Sequence, residues 1–403
     1  MEPVAAVLSG VPNGIGGLGV HSLAVITALA RGETEIHALG LSCQNGFFST
    51  DAFRVVVGHA SPRLLPSWVL RYSWWRRYPG NYQFKRDCRL GYWAQKEVAQ
   101  LQPSRCYVFT QVGLEVLSWA RKNNIPAALD NPNGHIRHYK AVLERESRRW
   151  LKTSYRGHPT EAMIERIEEE YELADRIRVS SDWAKESLVA YGVPEKKISI
   201  IPQPLDLKRF QPCAPRKQRG GPLRVCYVGN LNLAKGVHYL LRAIRRVGPQ
   251  KVSLEIVGST GNRPTRKFFE EERKGVNVQS APGDPVPAYH RAEVFVLPSL
   301  HDGFGFVVAE AMACGLPVIV TEDCGSASWI KDRKTGWVVP SANEEALADA
   351  LSDAMRHRDE LQDMGSLARS DVERLADPSC LKQLRDWVFQ PEYFVGDHLH
   401  NNS

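Results

Sequence analysis

Two α/β domains, each built on a doubly wound parallel sheet and facing each other across a cleft, are the fold this sequence predicts. Three observations point to it. The chain has 403 residues, and at roughly 100–200 residues per domain that length suits two domains. Short β-branched runs alternate with amphipathic stretches along the whole chain, as βαβ units do. One stretch, Pro212 to Pro222, is rich in Pro, Gly, Arg and Lys and carries no apolar periodicity, so it reads as a linker.

In the first half the expected strands are Val4–Leu8, Glu35–Leu39, Phe53–Val57, Cys106–Phe109, Pro126–Leu129, Ile177–Val179 and Ile198–Ile201. In the second half they are Leu223–Val228, Leu254–Val257, Val276–Gln279, Val294–Leu297, Val318–Val320 and Trp337–Val339. Many are continuous apolar runs, as expected of parallel strands covered on both faces. Ligands of such folds bind at the carboxyl ends of strands, so the cleft between the domains is the expected site.

Composition narrows the class. Hydrophobic residues make up 43% and charged residues 24%, which suits a globular protein rather than a disordered one. The eight cysteines, Cys43, Cys88, Cys106, Cys213, Cys226, Cys314, Cys324 and Cys380, show no C-x-x-C or zinc-finger spacing and are expected to be reduced thiols. The N-terminus lacks a basic stretch followed by a long apolar run, and no segment approaches the ~20 apolar residues of a membrane span. A cytoplasmic protein is expected, with a peripheral position on the inner face of a membrane left open. Nearly all of the net charge of +7 falls in one segment, where Arg63, Arg71, Arg76, Arg77, Lys85, Arg86 and Arg89 face Asp87 alone. Trp68, Tyr72, Trp74, Trp75, Tyr78 and Tyr82 are interleaved with them. Such a segment suits an anionic membrane surface, an acceptor-gripping surface or a solvated connection. No nucleic-acid module accompanies it, and nucleic acid is not an expected partner. Glu168, Glu169, Glu170 and Glu172 read as a solvated helix face.

Three glycine-centred motifs follow strands. Gly14, Gly16 and Gly19 match G-x-G-x-x-G after the first strand, with a helix expected from Val20. The second strand ends without the acidic residue that would bind a ribose, which argues against NAD and leaves a phosphate- or sugar-facing loop or a plain turn. Tyr227 to Gly236 repeats strand, glycine and helix, with Gly229 in the turn and Lys235 placed to put a cation beside a diphosphate. The strongest runs from Leu297 to Pro317, where His301-Asp302-Gly303-Phe304-Gly305 leads into a helix containing Glu310. Backbone N–H groups at this helix start suit a phosphate or a sugar hydroxyl. Asp302 reads as a ligand or a helix cap. Glu310, among Val307, Val308, Ala311 and Met312, reads as a ligand holder rather than a solvated charge.

With these motifs the chain resembles the family-4-like retaining glycosyltransferases of the GT-B fold. The resemblance runs nearly end to end, through Gly16-Gly17, Glu172–Ser181, Ile198–Phe210, the V-G-x-L-x-x-x-K-G loop and the block Ala288–Pro317. It implies a first domain over 1–205 that binds the acceptor and a second over 206–378 that binds the donor, with 379–403 returning to the first domain. In the family, Asp302 and Glu310 would be the two acids of the E-x7-E pattern. Glu310 would bind the donor ribose, and Asp302 with the N–H groups of Gly303, Phe304 and Gly305 would hold the sugar. Lys235 would neutralise the leaving diphosphate, with Gly229 and Asn230 beside it. Gly16 and Gly17 would face the diphosphate from the first domain, and the backbone around Gly258 and Pro282 would meet the base. His135 resembles the active-site histidine, with His138 as its rival.

Two positions depart from the family pattern. Asp302 stands where Glu is usual, and Asn230 where Arg is usual, leaving more of the leaving-group stabilisation to Lys235. The resemblance implies transfer of a hexose-type sugar, with retention, from a nucleotide-diphosphate-sugar. UDP-sugar is favoured over GDP-sugar, and the acceptor is a hydroxyl of a glycan, lipid or small molecule. The nucleotide-sugar is a co-substrate and no cofactor is expected. No D-x-D stands at a strand end, so no metal is expected. The alternatives are another GT-B enzyme, such as a phosphorylase or epimerase, and a weakened transferase that only binds a sugar nucleotide.

Overall fold

The computed structural model describes residues 3–8, 16–30, 36–40, 79–155, 157, 159–203, 205–213, 220–259, 263–375 and 379–390. The expected strand Phe53–Val57, Gly14 and the basic segment as far as Tyr78 lie outside them.

Two six-stranded sheets carry the chain. The first has β1 (Val4–Val7), β2 (Ile36–Leu39), β3 (Arg105–Phe109), β4 (Ala127–Asp130), β5 (Arg176–Val179) and β6 (Ile198–Ile200), in the order β2-β1-β3-β4-β5-β6. The second has β7 (Leu223–Val228), β8 (Val252–Val257), β9 (Val278–Ala281), β10 (Val294–Leu297), β11 (Val318–Thr321) and β12 (Gly336–Val339), in the order β12-β11-β10-β7-β8-β9. All the described pairings are parallel. Strands such as Val4–Val7 and Val294–Leu297 are buried at every residue, which explains their unbroken apolar runs.

The helices of the first half are α1 (Gly16–Leu29), α2 (Pro79–Leu101), α3 (Leu114–Lys122), α4 (Ile136–Glu146), α5 (Glu161–Leu173) and α6 (Asp182–Ala190). Those that follow are α7 (Val237–Val247), α8 (Arg263–Glu272), α9 (Val286–Arg291), α10 (Phe306–Ala313), α11 (Glu344–Arg356), α12 (Leu361–Leu375) and α13 (Ser379–Phe389). The fold is thus α/β, with two Rossmann-like parallel-sheet units. Ile201 belongs to the first core and Phe210 to the second, so the chain crosses before the proline-rich stretch expected as the linker.

Each core also takes in residues remote from its own sheet in the chain. Leu381, Leu384, Trp387 and Val388 of α13 are buried in the first core, where the Arg176 guanidinium lies 5.0 Å from the Trp387 ring. Conversely, Val142 and Leu143 of α4 are buried in the second core, with Trp150 and Leu151 of the following π-turn (Ser147–Leu151) packed against it. Glu146 anchors this arm. It is fully buried and accepts hydrogen bonds from Trp150 Nε1 at 2.9 Å and from Tyr239 Oη of α7 at 2.8 Å.

One member of the acidic run on α5, Glu170, departs from the solvated face expected of the run. Glu170 is fully buried, while Glu169 and Glu172 are exposed. Its carboxylate accepts from the backbone N–H groups of Gln111 (2.8 Å), Gly113 (2.9 Å) and Leu114 (3.2 Å) and from Thr110 Oγ1 (3.0 Å). Glu170 therefore satisfies donors at the start of α3 that no helical carbonyl can reach.

Candidate donor site between the two sheets

In the second sheet β7 and β10 are neighbours, and their following connections leave toward opposite sides. That is the switch point at which such sheets open a crevice. The loops that leave these two strands carry Gly229 to Lys235 and Pro298 to Gly305. They are bonded to each other, Leu300 N donating to Ala234 O at 2.7 Å. Gly236 stands at φ +65°, and a Cβ there would come within 1.9 Å of Pro298 O, so only glycine lets the loops approach. Similarly, Gly258 at φ +156° packs on Gly229, where a Cβ would meet the Gly229 carbonyl oxygen at 2.0 Å.

Across this crevice Lys235 Nζ donates to Asp302 Oδ2 as an ion pair. Burial alone would lower the ammonium's pKa, but the Asp302 carboxylate and its hydrogen bond raise it above the usual lysine value. Lys235 is thus a held cation at the head of α7. The Asn230 side chain is tied to the loop after β8, its Oδ1 accepting from Ser259 Oγ at 2.6 Å. On α10, Glu310 accepts from Tyr289 Oη at 2.8 Å through Oε2. Burial raises its pKa, an effect the Tyr289 bond opposes. Gly305, at φ +75°, caps α10. Among the described residues the N–H groups of Phe304 and Gly305 have no hydrogen-bond partner, so they remain available to an oxygen. Phe304 itself is buried, its ring 4.8 Å from those of Phe306 and Trp329. Pro282, just after β9, is exposed at the same end of the sheet.

The first sheet supplies the opposite wall. Gly16 and Gly17 form the first turn of α1. One turn later His21 Nε2 meets Asp130 Oδ2, at the end of β4, at 2.6 Å. Asp130 also accepts from Tyr107 Oη at 2.5 Å and from Arg178 Nη1 at 3.1 Å. Its burial would raise the pKa, but His21 and Arg178 hold the carboxyl down at about 2. This buried cluster fixes the head of α1 against β4.

His135 and His138 take different places. The His135 ring caps α4, its Nδ1 accepting from Arg137 N at 3.2 Å, and stacks on Tyr191 at 4.4 Å. Its Nε2 lies 3.9 Å from Glu168 Oε1. Both ring nitrogens therefore face first-half groups. His138 reaches across instead, its Nδ1 lying 2.9 Å from His301 Nδ1, beside Asp302. Two further contacts close the seam. Ser181 Oγ donates to Gly303 O at 2.5 Å, and Trp183 Nε1 to Asp323 Oδ1 at 3.3 Å.

Sequence reading missed His21, Asp130, Ser181, Trp183 and His301. The signals for the first two were a histidine in an otherwise apolar helix and a lone acid closing an apolar strand. The seam residues had no local signal.

Residues 214–371 match the model of the glycosyl transferases group 1 family. The D-inositol 3-phosphate glycosyltransferase of Paenarthrobacter aurescens (strain TC1) is 30% identical over 207 residues, which are 47% of this chain and 51% of that protein. A putative colanic acid biosynthesis glycosyltransferase, WcaL, of Escherichia coli (strain K12) is 32% identical over 209 residues, 48% of this chain and 51% of that one. The chain thus spans about half the length of these curated relatives. Among solved structures, sucrose-phosphate synthase from Thermosynechococcus elongatus superposes with a TM-score of 0.73 at 20% identity, covering 95% of this chain and 97% of that one. Anabaena HepE in complex with UDP and glucose gives 0.66 at 15% identity, covering 95% and 98%. The fold is the GT-B fold.

Proposed function

We propose that the protein moves a hexose-type sugar from a nucleotide-diphosphate-sugar to a hydroxyl acceptor, with retention of configuration. The observation that carries this reading is the Lys235–Asp302 pair at the switch point, with Glu310 on the helix behind it. A diphosphate entering the crevice competes with Asp302 for Lys235. The freed carboxylate and the Phe304 and Gly305 N–H groups then hold sugar hydroxyls. Glu310, with Oε2 taken by Tyr289, offers its other oxygen to the ribose. As the sugar–phosphate bond breaks, negative charge builds on the diphosphate, and a fixed cation with oriented N–H dipoles stabilises it. This assigns the leaving group to Lys235 without a divalent metal, so chelation by EDTA should leave turnover unchanged. UDP-sugar is the favoured donor, in keeping with the UDP complexes of HepE.

His138 rather than His135 is read as the first-half histidine facing the transferred sugar, because it alone of the two touches the donor block. The acceptor is read as a glycan, glycolipid or small molecule bound on the first half. Exposed Lys85, Arg89, Tyr92 and Lys96 line one face of α2. They make an anionic membrane surface at the inner face a fitting station for a protein in which no described helix is long and apolar enough to cross one.

A second reading rests on Asn230, whose side chain is bonded to Ser259 rather than presenting a cation. In it the protein binds a sugar nucleotide with little turnover. Melting-temperature shifts with UDP, GDP and their sugars, followed by release of nucleoside diphosphate in the presence of acceptor, separate the two. Binding without release favours the second, and no binding to wild type, or unchanged binding by Glu310→Ala, would overturn both.

A further inference from the structure

The seam between the halves contains a pair of imidazoles, of which only His138 has been given a part. His138, on α4, and His301, next to Asp302, approach Nδ1 to Nδ1 at 2.9 Å. At that distance one nitrogen must carry the proton and the other a lone pair. His301 is buried, and its Nε2 has no partner among the described residues. A buried polar atom left unpaired carries a cost, and each one calls for an explanation. An apolar pair would fill the same space without that cost.

The surroundings show what the pair holds. The His301 ring lies 5.0 Å from Trp183 and 5.1 Å from Tyr139, both from the first half. On its other side are Asp302 and, through it, Lys235. We propose that His138 and His301 are a positioning pair, whose single shared proton registers the first half of the molecule on the loop that carries Asp302. The pair holds as long as at least one imidazole is neutral. If both are protonated, the hydrogen bond is replaced by repulsion between like charges and the loop is released. The charged and titratable groups around the pair are His135 at the head of α4, Tyr139 and Arg145 on it, and Lys235 and Asp323 from the second half, with Asp302 next to His301 in the chain. Burial pushes both imidazoles below their ordinary pKa, so the pair is intact at neutral pH and opens on the acid side.

The inference rests on the transfer reading only for its kinetic arm. The test is a double-mutant cycle in the full chain with His138→Ala, His301→Ala and both together, and with His301→Asn, whose amide can replace the Nδ1 bond. The expected result is that each single alanine lowers turnover of UDP-glucose about tenfold, that the double variant is no slower than the slower single, and that His301→Asn recovers most of the rate. UDP affinity should stay within about threefold, and the acid limb of the wild-type pH profile should disappear from the alanine variants. Full additivity, or an equal loss of UDP binding, would overturn the proposal. If wild type turns over no sugar nucleotide, the transfer reading fails, and small-angle scattering still decides the pair. Separation of the halves in the double alanine variant would then support it, and an unchanged scattering curve would overturn it.

Discussion

Lys235 and Asp302 face each other from the loops that leave two neighbouring strands and are bonded before any ligand arrives. On the proposed reading, a diphosphate reaching Lys235 meets a built-in competitor. Asp302→Asn removes that competitor, and UDP should bind a few-fold tighter while sugar transfer falls by about 100-fold, on the scale of a lost charge-assisted hydrogen bond. Lys235→Ala should weaken UDP by about 10- to 100-fold. Calorimetry with UDP beside turnover of the matching sugar checks both signs.

Gly303 is a test of closure. A Cβ there would come within 2.0 Å of Pro132 O and 2.5 Å of Asn133 Cα, both backbone atoms of the other half. Gly303→Ala should hold the seam apart and lower transfer by about tenfold or more, as a small misplacement of reacting groups does. Because the clash is confined to the seam, the melting temperature should move little. A rate equal to wild type would show that closure at this point is not needed.

Acid should weaken the fold. Burial lowers the pKa of His135 from 6.5 to about 4 and also lowers those of His138 and His301. Such groups bind protons in the unfolded chain before the folded one. Their contribution to stability is therefore complete above pH 6.5 and is lost as pH falls toward the folded value. Each group changes stability by at most about 1.4 kcal/mol per pH unit in that window. Urea midpoints measured between pH 4 and pH 7 should rise with pH, and His135→Asn should flatten part of the slope.

Glu170 is predicted to matter for folding alone. Glu170→Ala leaves the buried Gly113 N–H unpaired together with those of Gln111 and Leu114, at a cost of roughly 2–4 kcal/mol. Denaturant unfolding should show this loss. Nucleotide affinity measured well below the melting temperature should not change.

Strands such as Val294–Leu297 and Val4–Val7 were legible because both faces are buried, so nothing polar interrupts them. The loops at the switch point were legible because glycine is required where one backbone meets another, as at Gly236 and Gly258. Glu170 was misread because its burial depends on a loop start 56–59 residues away, which helical charge patterning does not record. The pairing of His301 was hidden for the same reason, its partner being 163 residues distant. His135 and His138 stand on adjacent turns of one helix start, and only the packing of Tyr191 and Arg137 separates the cap from the residue that crosses.

The arm formed by α4 and its π-turn has a practical consequence for anyone grafting new donor preference onto this scaffold. A hybrid spliced in the crossing between Ile201 and Phe210 would pair a foreign second sheet with a native Val142, Leu143 and Trp150, and would strand the Glu146 carboxylate opposite residues that no longer offer Tyr239 or His238. The exchangeable module is discontinuous. It consists of the segment from α4 to Leu151 together with the chain from Phe210 to α12, and α13 stays with its host.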